Sequence, residues 1–253
     1  MLSKTQSKYI RSLALQKFRK EYQSFIAEGE KIVAEWLLSA HKIEMIVGVD
    51  EWIQSNQELI NKHPEALLIS VTEKELQQIS SLQTANKTLI VVKDLAPSAI
   101  NNIQDWCIAL DGIRDPGNMG TILRIADWYG IQHVVCAPDC VDAYSPKVVQ
   151  AAMGAHLRIS IYESDIATFI ASSPLPTIAA TLGGTNVYDM PQMDKGIIII
   201  GNEAKGIQGS IIEKATYNVT IPRIGGAESL NAGVSTGILC ALLVGRSSFN
   251  SGL

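Results

Sequence analysis

Cysteine is scarce and scattered in this 253-residue chain: Cys107, Cys136, Cys140 and Cys240 stand singly. Cys136 and Cys140 are separated by three residues, and no further Cys or clustered His completes a zinc set, so neither a disulfide framework nor a structural zinc site is expected. Long apolar runs are missing too. The longest, Gly196–Gly201 and Gly237–Gly245, fall far short of the ~20 residues that carry a helix across a bilayer. The opening residues, Met1-Leu-Ser-Lys-Thr-Gln-Ser-Lys, lack the apolar stretch of a secretory signal. Three nucleotide and hydrolase signatures are absent: Gly-x-Gly-x-x-Gly after an early strand, the Gly-Lys-Ser/Thr of a Walker loop, and Gly-x-Ser-x-Gly. A reduced, cytoplasmic protein without metal or membrane anchor is the expectation.

Net charge is −4, which alone argues against a nucleic-acid partner, but its distribution argues the other way. Six of the 21 basic residues (Lys4, Lys8, Arg11, Lys17, Arg19, Lys20) and none of the 25 acidic ones fall within residues 1–20, leaving a +6 segment on a −10 body. A solvated helix face and an RNA contact both explain such a run.

Two domains are expected, residues 1–93 and 103–253, joined by a linker at 94–102 whose Asp-Leu-Ala-Pro-Ser-Ala-Ile shows no periodicity. The first reads as helix, helix, strand, helix, strand, helix, strand. Tyr9–Phe18 and Phe25–Leu38 have helical spacing, Ile43–Val49, Ala66–Val71 and Thr88–Val92 are strand-length apolar runs, and Thr72-Glu-Lys-Glu75 opens a helix. In the second, strands at Trp106–Leu110, His133–Ala137, Leu157–Ile161, Thr177–Leu182 and Gly196–Ile200 alternate with helices at Thr121–Tyr129, Pro146–Gly154, Ile166–Ser172 and Ala232–Val244. Nearly wholly apolar strands separated by helices predict an α/β fold with a parallel sheet buried on both faces, and ligands at the carboxyl ends of its strands.

Three polar loops sit at those ends. Asp115-Pro-Gly-Asn118 is turn chemistry leading through Gly120 into a helix that carries Arg124, whose fork suits a phosphate or carboxylate. Ile197–Ile200 runs into Gly201-Asn-Glu203-Ala-Lys-Gly206, where a glycine lets a ligand approach the backbone and Glu203 can hold a hydroxyl or pair with an arginine. Ile221-Pro-Arg-Ile-Gly-Gly-Ala-Glu-Ser229-Leu-Asn231 frees backbone and places short polar groups at the start of an apolar helix. Taken singly, each also reads as a turn or a helix cap.

Together, Asn118-x-Gly120-x-x-x-Arg124, Gly201-x-Glu203-x-x-Gly206 and Ile221-Pro222 with Ser229-Leu-Asn231 resemble, in order and spacing, the three motifs of the SpoU/TrmH family of RNA ribose methyltransferases. Phe25-Ile-Ala-Glu-Gly-Glu-Lys-Ile-Val33 is similar to the family's substrate-recognition domain of ribosomal-protein-like α/β fold, and Ser145–Val149 with Met153–Ala155 fits the segment between the first two motifs. The resemblance implies methyl transfer from S-adenosylmethionine to a ribose 2′-hydroxyl, a C-terminal trefoil knot and a homodimer. It implies a cofactor held around Gly201, Ile221 and Leu230, with Leu182, Ile200 and Asn202 alongside. Asn118, Arg124, Glu203, Ser229 and Asn231 would form the catalytic set, with Arg124 acting on the 2′-hydroxyl as a base or clamping the adjacent phosphate, and Lys17, Arg19 and Lys20 meeting RNA. Ribosomal RNA is favoured over transfer RNA because of the N-terminal domain. A tRNA-directed enzyme, a base methyltransferase and an RNA-binding relative without catalysis are the alternatives. Two departures stand out: Gln150 where many relatives carry arginine, and Ala232-Gly-Val-Ser-Thr-Gly237 after Asn231, whose two glycines each cost a helix about 1 kcal/mol.

Overall fold

A computed structural model describes residues 2–93, 100 and 103–245. Of the expected linker at 94–102, Ile100 alone is among the described residues. In chain order the elements are α1 (Lys4–Ser12), α2 (Gln16–Tyr22), β1 (Ser24–Glu28), α3 (Glu30–Leu38), β2 (Ile43–Gly48), α4 (Asp50–Ser55), α5 (Gln57–Ile60), β3 (Leu67–Ser70), α6 (Glu73–Ile79) and β4 (Thr88–Lys93). There follow β5 (Cys107–Asp111), α7 (Pro116–Trp128), β6 (His133–Cys136), α8 (Pro146–Ala152), β7 (Ser160–Glu163), α9 (Ile166–Ser172), β8 (Thr177–Asn186), β9 (Ile197–Gly201), α10 (Gly209–Ile212), β10 (Tyr217–Thr220) and α11 (Ala232–Leu243).

The chain forms two compact units: Met1–Ala96 with Asp142–Leu157, and Pro97–Val141 with Arg158–Leu253. The first is built on a four-stranded sheet ordered β1-β4-β2-β3, antiparallel except for β2 with β3. Ile10 and Leu13 from the N-terminal segment, Trp36 of α3 and Val149 of α8 close its core, with Phe25 set edge-on to Trp36 at 5.2 Å between ring centres. Arg19 is buried there and donates to Asp142 through Nε at 2.9 Å and Nη2 at 2.5 Å, and to the Leu13 carbonyl at 2.7 Å. A charge is tolerated at that depth only because its donors are matched in this way.

The second unit carries a six-stranded, wholly parallel sheet ordered β10-β8-β9-β5-β6-β7. Residues 107–110 and 197–200 are buried throughout, as strands covered on both faces must be. The chain builds outward through β5, β6 and β7, then returns to the other side, so the carboxyl ends of β5 and β9 lie side by side, with Asp111 opposite Gly201. That is where the strand order reverses and where ligands bind in such sheets.

Several expectations give way to local chemistry. Residues 25–28 are strand, not helix; Gly29, at φ 94°, breaks the run before α3 begins. Leu157 ends a 3₁₀ turn packed in the first unit's core, so β7 starts later than expected, at Ser160. The helix expected from Thr121 already starts at Pro116, because Asp115 accepts a hydrogen bond from the Asn118 N–H and proline suits the first helical position. The short strand β10 is not expected from the sequence at all.

Candidate functional site

At the carboxyl edge of the parallel sheet, three side chains from three separate loops are joined in a line. The Asn118 amide donates to Glu203 Oε1 at 2.8 Å, and the Asn231 amide donates to Asn118 Oδ1 at 2.7 Å. Asn231 Oδ1 in turn accepts from the backbone N–H groups of Gly233 and Val234, at 2.9 and 3.2 Å, and caps α11. The direction of this chain is forced from both ends. A carboxylate only accepts, so Asn118 must turn its NH₂ to Glu203; the start of a helix only donates, so Asn231 must turn its oxygen to α11. The middle bond then has a single possible sense.

Glu203 is held ionised. Partial burial pushes its carboxyl up, but the Asn118 amide and the backbone N–H groups of Glu203, Arg114 and Asp115 outweigh that and bring it below the ordinary glutamate value. The loop that presents Glu203 is pinned independently. The Asn202 backbone exchanges hydrogen bonds with Gly206, its amide donates to the Gly112 carbonyl at 2.6 Å, and its Oδ1 accepts from the Ala204 and Lys205 N–H groups. Gly201 permits this close return, since a Cβ there would lie 2.3 Å from the backbone of Gly206 and Ile207. Below the loop, the buried carboxylate of Asp111 accepts from the Gln208 side chain at 2.7 Å and its backbone N–H at 2.8 Å. Asp111 and Gln208 are not among the residues that the sequence singles out. An acid closing the apolar strand β5 is the same signal that marks Glu203 after β9, whereas nothing marks Gln208.

Beside this line opens a cleft of ≈ 780 Å³, a size suited to a cofactor. All six residues expected around the cofactor (Leu182, Ile200, Gly201, Asn202, Ile221 and Leu230) line it. So do Glu203 and Ser229 of the expected catalytic set, whereas Asn118, Arg124 and Asn231 do not. β8 bulges between Ala179 and Thr185 in its pairing with β10, and that bulge brings Leu182 to the cleft. Leu182 is 81% exposed and Leu230 49%, apolar surface that a flat ligand would cover. Ser229 and Arg124 stand exposed, and their side chains make no hydrogen bond or ion pair among the described residues. Lys17 and Lys20 are exposed, with the Lys17 ammonium 5.7 Å from the Phe18 ring centre, while Arg19 is buried against Asp142 and is not available at the surface.

Of the two glycines after Asn231, one has a packing role. A Cβ on Gly233 would come within 2.8 Å of Thr121 Cγ2, so this glycine lets α11 lie close on α7 beside Asn231, whereas a Cβ on Gly237 would make only an ordinary contact with Ile125. Among the described residues no group of three or more His, Cys, Asp or Glu could hold a metal, and no helix is long and apolar enough to cross a membrane.

The sequence profile of the SpoU rRNA Methylase family matches residues 105–241, and that of the MRM3-like substrate binding domain matches residues 4–89. The chain is 29% identical over 246 residues to the 23S rRNA (guanosine(2553)-2'-O)-methyltransferase RlmP of Bacillus subtilis, covering 90% of this chain and 92% of that protein. A TrmH-family structure from Porphyromonas gingivalis superposes with TM-score 0.88 and 33% identity, over 97% of this chain and 99% of the other. An AdoMet-bound rRNA methyltransferase from Sinorhizobium meliloti superposes with TM-score 0.86 and 28% identity, over 96% and 95%. With the profile match spanning more than half its length and the three motif loops meeting at one sheet edge, the chain belongs to the SpoU rRNA methylase family.

Proposed function

We propose that this protein transfers a methyl group from S-adenosylmethionine to a ribose 2′-hydroxyl in RNA, with ribosomal RNA as the substrate. The observation that carries the reading is the Asn231–Asn118–Glu203 line at the lip of the cleft. The cleft fits the cofactor: apolar walls from Leu182, Ile200 and Leu230 suit a flat ring, and the loop backbone around Gly201 offers polar groups beside them. S-adenosylmethionine held there would supply an electrophilic methyl to the ribose oxygen, the S–CH₃ electron pair staying with sulfur in the thioether product and the 2′-hydroxyl proton passing to solvent. The protein's part is to orient and to exclude water, and alignment alone can supply a large share of the acceleration.

Glu203, an anion at neutral pH, accepts a hydrogen bond and keeps Asn118 and Asn231 in one sense. The exposed guanidinium fork of Arg124, with no side-chain partner among the described residues, suits a phosphate beside the reacting ribose. Ser229, at the cleft wall, offers a further hydroxyl to the substrate. Lys17 and Lys20 stay in the proposed RNA-contacting set, and Arg19 leaves it.

The reading includes a cytoplasmic homodimer with a C-terminal trefoil knot. Trp128 at the end of α7 is 83% exposed and Val234 near the start of α11 51%, apolar side chains on two helices that pack on each other and that a second copy would cover. The reading also divides the chain into a substrate-recognition domain at 1–93, a linker at 94–102 and a catalytic domain at 103–253. The two profile matches support this division, while Asp142–Leu157 packs with the first unit.

The test is transfer of labelled methyl from S-adenosylmethionine to protein-free ribosomal RNA, followed by digestion to nucleosides. Label in 2′-O-methylnucleosides supports the reading. Label in a methylated base, or none, overturns it.

A further inference from the structure

We propose that the groove between α1 and α6 in the first unit carries the phosphate backbone of the RNA, an inference that rests on the function proposed above. The groove measures ≈ 590 Å³ and is lined by Lys4, Lys8 and Arg11, with Ser7, Ser12 and Gln78 beside them. The three cations follow helical spacing along one face, spanning about 10 Å of helix axis, and all are exposed. None has an acidic partner among the described residues.

This arrangement works against the helix that bears it. Lys4 with Lys8, and Lys8 with Arg11, set like charges three and four residues apart, which is unfavourable in a helix. Lys4 also sits in the first turn, where the helix dipole disfavours a cation, and α1 contains no acid to offset either effect. The groove's one lining carboxylate, Glu75, is engaged by the Thr72 backbone N–H and hydroxyl at 2.9 and 3.0 Å in the capping box of α6. Ile10 and Leu13 hold the opposite side in the core, so the charged face is fixed outward. Cations aligned in a concave wall beside hydroxyls and an amide, without partners of their own, match a polyanion that passes along the helix. The set also differs from Lys17 and Lys20, which lie on α2.

The experiment compares salt dependence of binding to protein-free ribosomal RNA for the wild type and two charge-matched triples. Lys4→Gln/Lys8→Gln/Arg11→Gln removes the groove's cations; Lys31→Gln/Lys42→Gln/Lys62→Gln removes three exposed cations elsewhere in the unit. Each phosphate contact contributes about 0.7–0.9 to the salt slope, so the groove triple should flatten it by about 2–3. Between about 50 and 200 mM salt, wild-type affinity should then fall by about 20- to 40-fold more than that of the groove triple. The control triple should keep the wild-type slope, and all three should bind S-adenosylmethionine alike. Equal flattening by both triples, or none by the groove triple, overturns the groove while wild-type methyl transfer leaves the function standing. A wild type that neither binds nor methylates RNA overturns both.

Discussion

The two units place their buried polar groups differently. In the first, Arg19 with Asp142 and Glu28 with Ser80 and Ser81 are each closed on themselves, and His156 Nε2 is tied to the Ala143 carbonyl while its Nδ1 has no partner among the described residues. They fasten one stretch of chain to another inside an apolar core. In the second, Asp111 and Asn118 belong to sets that gather at one edge of the sheet and end at a cleft. Buried polarity serves cohesion in the first case and orientation of a ligand in the second. The difference also separates the ways in which each unit should fail.

The largest effect on cohesion is expected from Asp142→Ala. It leaves the Arg19 guanidinium buried without its counter-ion and should cost about 3–5 kcal/mol. Thermal denaturation would show the loss, and at temperatures where the variant stays folded, calorimetric binding of S-adenosylmethionine should match wild type. Impaired binding there would erase the contrast between the units.

Acid should act next, and first on the same unit. Burial pushes His156 down to about 4 against an ordinary 6.5. Between those values the unfolded chain takes up a proton that the folded one refuses, so stability falls as pH drops through that window, by about 3 kcal/mol in all. Glu203 has the opposite timing: its lowered carboxyl keeps its contribution above the ordinary glutamate range and loses it only at more acid pH. Denaturant titrations between pH ~7 and ~4 should show the early loss in the wild type and a smaller one in His156→Gln.

Gly201→Ala is expected to cost about 1–3 kcal/mol, since its Cβ would overlap the returning backbone of Gly206 and Ile207. Here the diagnostic reading is S-adenosylmethionine affinity, which should fall more than stability does. The smallest effect belongs to Thr72→Ala, which opens the capping box of α6 for about 1 kcal/mol and should leave cofactor binding unchanged.

How much could be read from the sequence follows the same division. The site was legible because glycines and short polar residues end apolar strands or open helices: Gly201 closes β9, and Asn118 and Asn231 stand at the starts of α7 and α11. Its bonding was not, because the line from Asn231 to Glu203 joins residues far apart in the chain that only the reversal in strand order brings together. In the first unit, residues 25–28 are apolar at spacings that fit a helix or a strand, and pairing with β4 decided between them. β10 is short and half-polar, so it carries no periodicity to find. Arg19 looks like its basic neighbours until Asp142, 123 residues on, is seen beside it.

The forced direction of the Asn231–Asn118–Glu203 line is the claim most open to direct contradiction. Asn118→Asp sets a second carboxylate against Glu203 and should lower methyl transfer to RNA by about 100-fold. Combining Asn118→Asp with Glu203→Gln returns a donor to that bond, now from the opposite side, and should recover at least about tenfold. Transfer rates for the wild type, the single variant and the double variant decide the matter. A single variant close to wild type, or a double no faster than the single, would contradict the account.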